Sequence, residues 1–265
     1  MKTAGVICAG GYSEMRPGEP KVITLIDGVP VVRRMIDSML GVGIKRIAVV
    51  VSPRDHDLVV AAAGHHELNG SVVWITQDKR NGNANALSYG ITALECEKTD
   101  IDTVVVGLGD MGLFSSDTIQ SLIDTHNDRI THAVVPLKMH MEIFKGYGLV
   151  EYGSPDCSYS FSPSFIRQYW YGNYTPQWCA EFVSPSLYCM DPLWALEQIP
   201  ELDLHDDRDG GLPSEQYISD LIKVAYMQDR PASEHVIPDD QAWEALAAND
   251  LDQLAYIQDK LYSGR

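Results

Sequence analysis

Apolar positions in the first half of the chain follow two spacings in turn. The runs Gly5–Cys8, Arg46–Val51, Ser71–Thr76, Thr103–Leu108 and Ala133–Leu137 are short, nearly continuous and rich in β-branched residues, the pattern of strands buried on both faces. Between them the apolar residues recur three and four apart. In Val31–Leu40, the side chains Val32, Ile36, Met39 and Leu40 share one helical face. Asp55–Ala63, Ala84–Leu94 and Ser116–Thr125 read the same way, the last with Ser115 or Ser116 as its N-cap. This β-α-β-α rhythm predicts an α/β fold, a Rossmann-like, mostly parallel mixed sheet flanked by helices. Ligands then belong at the carboxyl ends of the strands.

From about Phe144 the rhythm changes. Gly148–Tyr152 and Ala180–Tyr188 read as strands, Ser214–Met227 as a helix, and Gln241–Leu261 as mostly helical. The aromatic stretch from Tyr169 to Trp178 fits core packing, or a subunit interface in a homo-oligomer. His65 and His66 read as a solvated helix end, and the segment from Leu202 to Gly210 as an exposed acidic loop. No repeat or low-complexity linker divides the chain, so one domain over residues 1–265 is expected. Asp and Glu number 37 against 20 Lys and Arg, a formal charge of −17. That balance argues against nucleic acid and anionic membranes as partners. The five scattered cysteines, Cys8, Cys96, Cys157, Cys179 and Cys189, contain no Cys-x-x-Cys pair and predict reduced thiols in a cytoplasmic protein. The first residues lack the pattern of a signal peptide, and no window approaches the roughly 20 apolar residues of a membrane span.

Three stretches carry candidate chemistry. After the first strand, Ala9, Gly10 and Gly11 open a loop that runs to Pro20-Lys21. Backbone N–H groups in such a loop, with a lysine as point charge, suit a phosphate chain. Gln77 and Gly82-Asn83 lie between a strand end and a helix start. There a glutamine can pair with a base edge, and a glycine lets backbone approach it. Gly109-Asp110 closes a buried strand, and a carboxylate at that place suits a Mg²⁺ bridging phosphate oxygens.

Together these stretches resemble the sugar-1-phosphate nucleotidyltransferases, in particular the uridylyltransferase domain of the bacterial bifunctional N-acetylglucosamine-1-phosphate uridyltransferases. That family carries Leu-Ala-Ala-Gly-x-Gly-Thr-Arg-Met, Pro-Lys, Gln-x-x-x-x-Gly-Thr, Gly-Asp, Gly-Tyr-Gly and Glu-Tyr-Tyr-Leu-Thr-Asp in this order. Here the matching residues are Cys8 to Met15, Pro20-Lys21, Gln77 to Asn83, Gly109-Asp110, Gly146-Tyr147-Gly148 and Glu215 to Asp220. The resemblance implies the nucleotide-diphospho-sugar transferase fold, with a nucleotide-binding half at 1–140, an acceptor-side half at 141–235 and a helical segment at 236–265. It implies Mg²⁺, a nucleoside triphosphate and a phosphorylated small-molecule acceptor, with UTP favoured by Gln77 and Gly82. Lys21 would contact the phosphates, Asp110 would hold the metal, and Gly146 and Tyr147 would lie on the acceptor side with Glu181. The family takes a second metal ligand from a late Asn or Asp before the last helix; direct alignment brings Pro238 to that position, so Asp239 or Asp240 would serve by a small shift.

The departures are as specific as the matches. Glu14 stands where the family has the arginine that meets the triphosphate, and Arg16 is the nearest replacement in sequence. Tyr12 stands for a glycine. The acceptor half departs too: the sugar-binding Glu and Asn that follow Gly-Tyr-Gly in the family have no clear match, and the aromatic stretch lies there. Two other readings stay open, the first motivated by that acceptor half and the second by Glu14 and Tyr12. One is cytidylyl transfer to a non-sugar phosphate such as phosphocholine. The other is a nucleotide-binding homologue without turnover, acting as sensor or partner subunit. A retaining glycosyltransferase lacks support, since Asp110 is followed by Met111-Gly112 rather than completing an Asp-x-Asp.

Overall fold

The computed structural model describes residues 2–11, 13–64, 70–79, 81–96, 98–127, 129–136, 144, 147–151, 165–167, 180–205, 214–230 and 232–263. At 149, 151, 165–167, 180, 181 and 263 it describes the backbone alone. The chain begins with strand β1 (Thr3–Ala9) and two small ribbons, β2 (Glu14–Arg16) with β3 (Glu19–Pro20) and β4 (Leu25–Ile26) with β5 (Val29–Pro30). Then follow α1 (Val31–Gly41), β6 (Ile47–Val51), α2 (His56–Ala62), β7 (Val72–Thr76), α3 (Asn83–Ala93), β8 (Thr103–Leu108), α4 (Ser116–Thr125) and β9 (Ile130–Pro136). The second half contributes β10 (Gly148–Glu151), β11 (Phe165–Arg167), β12 (Ala180–Ser184), β13 (Tyr188–Met190), α5 (Pro192–Gln198), α6 (Asp220–Met227), β14 (Ser233–Val236) and α7 (Leu251–Ser263).

One mixed sheet runs in the order β11-β10-β12-β9-β13-β8-β1-β6-β7, and β14 also pairs with β9. The block β8-β1-β6-β7 is parallel throughout. β13 enters between β8 and β9 antiparallel to both, and β10, β11 and β12 extend the sheet antiparallel. The layers follow from the two-residue period of the strands. Ile7, Ala9, Val49, Val51 and Val105 face one core with Val32, Met35 and Ile36 of α1, Ile119 and Leu122 of α4, and Ile257 of α7. Val6, Cys8, Ala48, Val50, Val104 and Val106 face the other, with Leu87 and Ile91 of α3, Trp194 of α5, and Leu221 and Ile222 of α6.

Three segments differ from the expectation, each because its backbone is engaged elsewhere. The strand expected at 180–188 is two strands, separated by a turn in which Ser186 adopts φ +55°. The helix expected from Ser214 begins only at Asp220. Before it, Glu215 exchanges backbone hydrogen bonds with His205 (2.9 Å each way), and Gln216 N–H donates to Asn81 C=O (2.9 Å). The helical C-terminal region is broken into a 3-10 stretch at Asp239–Ala245 and α7, with extended chain between. The 3-10 stretch is anchored by Glu244, a buried carboxylate that accepts from Ser115 N–H and Thr118 Oγ1 (both 2.7 Å) at the start of α4. Cys8, Cys96 and Cys189 are buried free thiols; Cys157 and Cys179 lie outside the described residues. Among the described residues no helix is long and apolar enough to cross a membrane.

Candidate active site

A cleft opens where β1, β7 and β8 end. Its walls are Ala9, Gly10, Gly11 and Ser13 after β1, Gln77, Gly82 and Asn83 between β7 and α3, and Asp110 after β8. Lys21, Cys8 and two residues from the second half, Glu215 and Tyr217, also line it.

Asp110 is placed by its neighbour. Gly109 N–H donates to Cys8 C=O (2.9 Å), and a Cβ on Gly109 would come within 2.7 Å of Ala9 Cβ. Only glycine lets the two strand ends close to that distance. Asp110 is partly exposed to the cleft and enclosed by protein elsewhere, and loss of hydration pushes its carboxyl above the ordinary carboxylate range. The Lys21 ammonium opposes that shift. Lys21 Nζ also donates to Asn249 Oδ1 (3.4 Å). Asn249 in turn is held by the cap of α7. Asp250 Oδ1 accepts from Gln253 N–H (2.8 Å), and Asn249 N–H donates to Gln253 Oε1 (3.2 Å). Beside them, the hydroxyl of buried Tyr147 accepts from Ala247 N–H, and burial together with Asp110 and Asp250 raises its pKa.

The β7–α3 loop is equally constrained. Gln77 is buried, and its Nε2 donates to Gly82 C=O (3.3 Å) and Asn85 Oδ1 (2.9 Å). Its Oε1 lies against Gly10, where a Cβ would come within 3.0 Å. Gly82 adopts φ +90°, and a Cβ there would meet Gln216 O at 2.2 Å. The loop and the Glu215–Ile218 segment are tied by Ala84 N–H to Gln216 C=O (3.1 Å) and by Ile218 N–H to Asn83 Oδ1 (2.8 Å). Asn83 therefore works as a clamp. Tyr217 OH donates to Glu215 Oε2 (3.2 Å), and the Tyr217 ring packs on His205, whose Nε2 lies 2.7 Å from Asp220 Oδ2. Burial pushes the Cys8 thiol up to about 12, so it lines the cleft as a neutral group.

Ala9, Gly10, Gly11, Lys21, Gln77, Gly82, Asn83 and Asp110 thus share one cleft. Arg16 does not join them: it is exposed on the β2–β3 hairpin, 3.5 Å from Glu19. Asp239 and Asp240 line a different pocket, with Phe144, Trp243 and Tyr256. They start the 3-10 stretch, and the chain needs the further turn to Asn249 before it reaches Lys21. Gly146, Tyr12, His65 and His66, the aromatic stretch from Tyr169 to Trp178, the residues from Asp206 to Gly210 and the side chain of Glu181 lie outside the described residues. Sequence reading gave no role to Glu215 and Tyr217, which line the cleft, or to Asn249, which contacts Lys21. The first two sit in the segment Glu215 to Asp220 that matches the family's Glu-Tyr-Tyr-Leu-Thr-Asp, and Asn249 is a late Asn two residues before the last helix.

Residues 5–155 match the MobA-like NTP transferase domain. The chain belongs to that family. It is 27% identical over 253 residues to the bifunctional protein GlmU of Pseudarthrobacter chlorophenolicus, covering 95% of this chain and 48% of that protein. To the bifunctional protein GlmU of Agrobacterium fabrum it is 26% identical over 260 residues, covering 96% of this chain and 51% of that protein. The chain therefore spans about half the length of these curated relatives. The 4-diphosphocytidyl-2C-methyl-D-erythritol synthase of Anaerococcus prevotii has the same fold, with a TM-score of 0.62 at 10% identity over 98% of both chains.

Proposed function

We propose that this protein is a nucleotidyltransferase that joins UTP to a sugar 1-phosphate and releases pyrophosphate. The observation that carries the reading is the meeting of Lys21, Asp110, Gln77 and Gly82 in one cleft of an NTP transferase domain. In the reaction, a phosphate oxygen of the acceptor attacks the α-phosphorus in line, and the bond to the β,γ-pyrophosphate breaks. Nothing in that step needs a covalent protein intermediate; it needs position and charge neutralisation.

The donor set fits a Mg²⁺ ion: the Asp110 carboxylate, disfavoured as a bare anion by burial, lies near Lys21, which binds the Asn249 amide oxygen. Among the described residues no three His, Cys, Asp or Glu are grouped to hold a metal. A two-residue site suits Mg²⁺, which keeps waters and takes its other ligands from substrate phosphates. Asp110 and Asn249 would hold it, and when bound it would neutralise charge on the reacting phosphates. Lys21 supplies a second positive charge to the same phosphates. With its NH₂ engaged by Gly82 and Asn85, Gln77 offers an acceptor. Uracil presents N3–H to such an acceptor, whereas cytosine presents the N3 lone pair. Glu215 and Tyr217 face the cleft from the acceptor-side half and suit the hydroxyls of a sugar.

The test is pyrophosphate release from UTP, CTP, ATP, GTP and dTTP, with Mg²⁺ and a panel of sugar 1-phosphates and phosphocholine. The expected result is turnover with UTP and one sugar 1-phosphate, lost in Asp110→Ala. Turnover with CTP and phosphocholine alone would replace the substrate assignment. Binding of nucleotide with silence across the panel would favour a homologue without this activity.

A further inference from the structure

Among the described residues, the cleft is lined by one ammonium, Lys21, against two carboxylates, Asp110 and Glu215. A triphosphate entering it needs more positive charge than that. The loop from Gly10 to Ser13, which would follow the phosphates, leads directly into another carboxylate, Glu14. Glu14 is not left facing the cleft. Its Oε2 accepts from Gly18 N–H (3.0 Å) within the hairpin, and its Oε1 lies 3.2 Å from Arg54 Nη1.

Arg54 comes from a different strand end. It follows β6, the parallel neighbour of β1, in a turn packed beside the loop: a Cβ on Gly10 would lie 3.7 Å from Ser52 N and Val51 C. Its guanidinium is aimed by a buried group. Nε donates to Asp55 Oδ1 (2.9 Å) and Nη2 to Asp55 Oδ2 (3.0 Å), while Asp55 is fixed by Ser52 Oγ (2.9 Å). This fork holds the planar group rigidly. The Nη1 edge lies against an exposed glutamate, and Arg54 itself is exposed to solvent.

We infer that Arg54 is a triphosphate-binding residue, and that Glu14 occupies its Nη1 edge until the β,γ-phosphates of the nucleotide replace it. The inference rests on the nucleotide reading of the cleft. A phosphate oxygen is as good a partner for a guanidinium as a carboxylate. The exchange breaks one ion pair and forms another, and the bidentate contact to Asp55 keeps the arginine in place. The positive charge missing from the signature loop is thereby supplied from the adjoining turn, and the exposed Arg16 is not needed for it.

The test measures binding of UTP, UMP and inorganic pyrophosphate, each with Mg²⁺, by calorimetric titration. Arg54→Ala is expected to weaken UTP and pyrophosphate about tenfold and leave UMP unchanged. Arg54→Lys recovers part of the loss. Glu14→Gln removes the competing carboxylate and tightens UTP and pyrophosphate about threefold. A Glu14–Arg54 pair that only latches the loop would instead make Arg54→Ala and Glu14→Gln change all three ligands in the same direction, and that result overturns the inference. So does unchanged pyrophosphate binding in Arg54→Ala. A wild-type protein that binds pyrophosphate but not UTP would cancel the base assignment and leave the Arg54 comparison decisive through pyrophosphate. One that binds neither would overturn both readings.

Discussion

At the scale of single residues, Asp110 carries the tension between stability and chemistry. Burial raises its pKa, so the folded state holds its proton more tightly than the unfolded chain does. By linkage, stability falls as pH rises from the ordinary carboxylate value of 3.8 through the raised value, and the loss is complete above it. At neutral pH without metal, Asp110→Asn should therefore stabilise the protein by about 1 kcal/mol, or ~2–4 °C in Tm. The gain should vanish below about pH 4. Turnover should move the other way, falling about 100-fold or more in the variant. In the wild type, the acid limb of the rate profile should lie above the usual carboxylate range and move to lower pH as Mg²⁺ is raised. A thermal melt across pH and a rate profile at two Mg²⁺ concentrations check both. A variant that melts lower than wild type at neutral pH would contradict this account.

At the scale of elements, the β7–α3 loop and the Glu215–Ile218 segment form one unit, and Gly82 is its joint. The positive φ and the approach of Gln216 both exclude a side chain. Gly82→Ala should destabilise the fold by ~1–3 kcal/mol, measured by denaturant unfolding, and should weaken UTP binding at least as much as it weakens pyrophosphate. Equal binding of UTP to both proteins would separate this joint from the base site. The same unit marks where the sequence stops being legible. Strands such as Thr103–Leu108 and helices such as Ser116–Thr125 announce themselves through local period, and the glycine loop, Lys21, Gln77 and Asp110 through motif. Glu215–Ser219 carries helix-compatible residues, but its backbone is taken by His205, Asn81 and Ala84, partners distant in sequence. Likewise the apolar positions of Gln241–Leu261 suit a continuous helix. The break at Leu246–Asp250 is set by Tyr147, about 100 residues away in the chain. Asp239 and Asp240 attract attention as an acidic pair, yet it is the break after them that brings Asn249 to Lys21. Arg54 has no local signal at all, because its role depends on which strand lies beside β1.

At the scale of the whole molecule, the protein's charge of −17 opposes its polyanionic ligand. Two electrostatic terms of different range act on a nucleotide approaching the cleft. The repulsion is summed over a largely exposed acidic surface and acts over many ångströms, so salt removes it: the screening length shrinks from about 30 Å at 0.01 M to about 10 Å at 0.1 M ionic strength. The attraction would come from partly enclosed Lys21 and from Arg54, which is exposed but would act at contact, and over so short a distance salt weakens it less. The association rate of the triphosphate, measured by stopped flow at fixed free Mg²⁺, should therefore increase several-fold between about 0.01 M and about 0.1 M NaCl, and the dissociation rate should change little. A nucleic-acid-binding surface behaves in the opposite way, losing affinity steeply with salt. An association rate that falls with salt from the outset would mean that the field at the cleft mouth is positive despite the net charge. The local cations would then steer the ligand from a distance as well as hold it at contact.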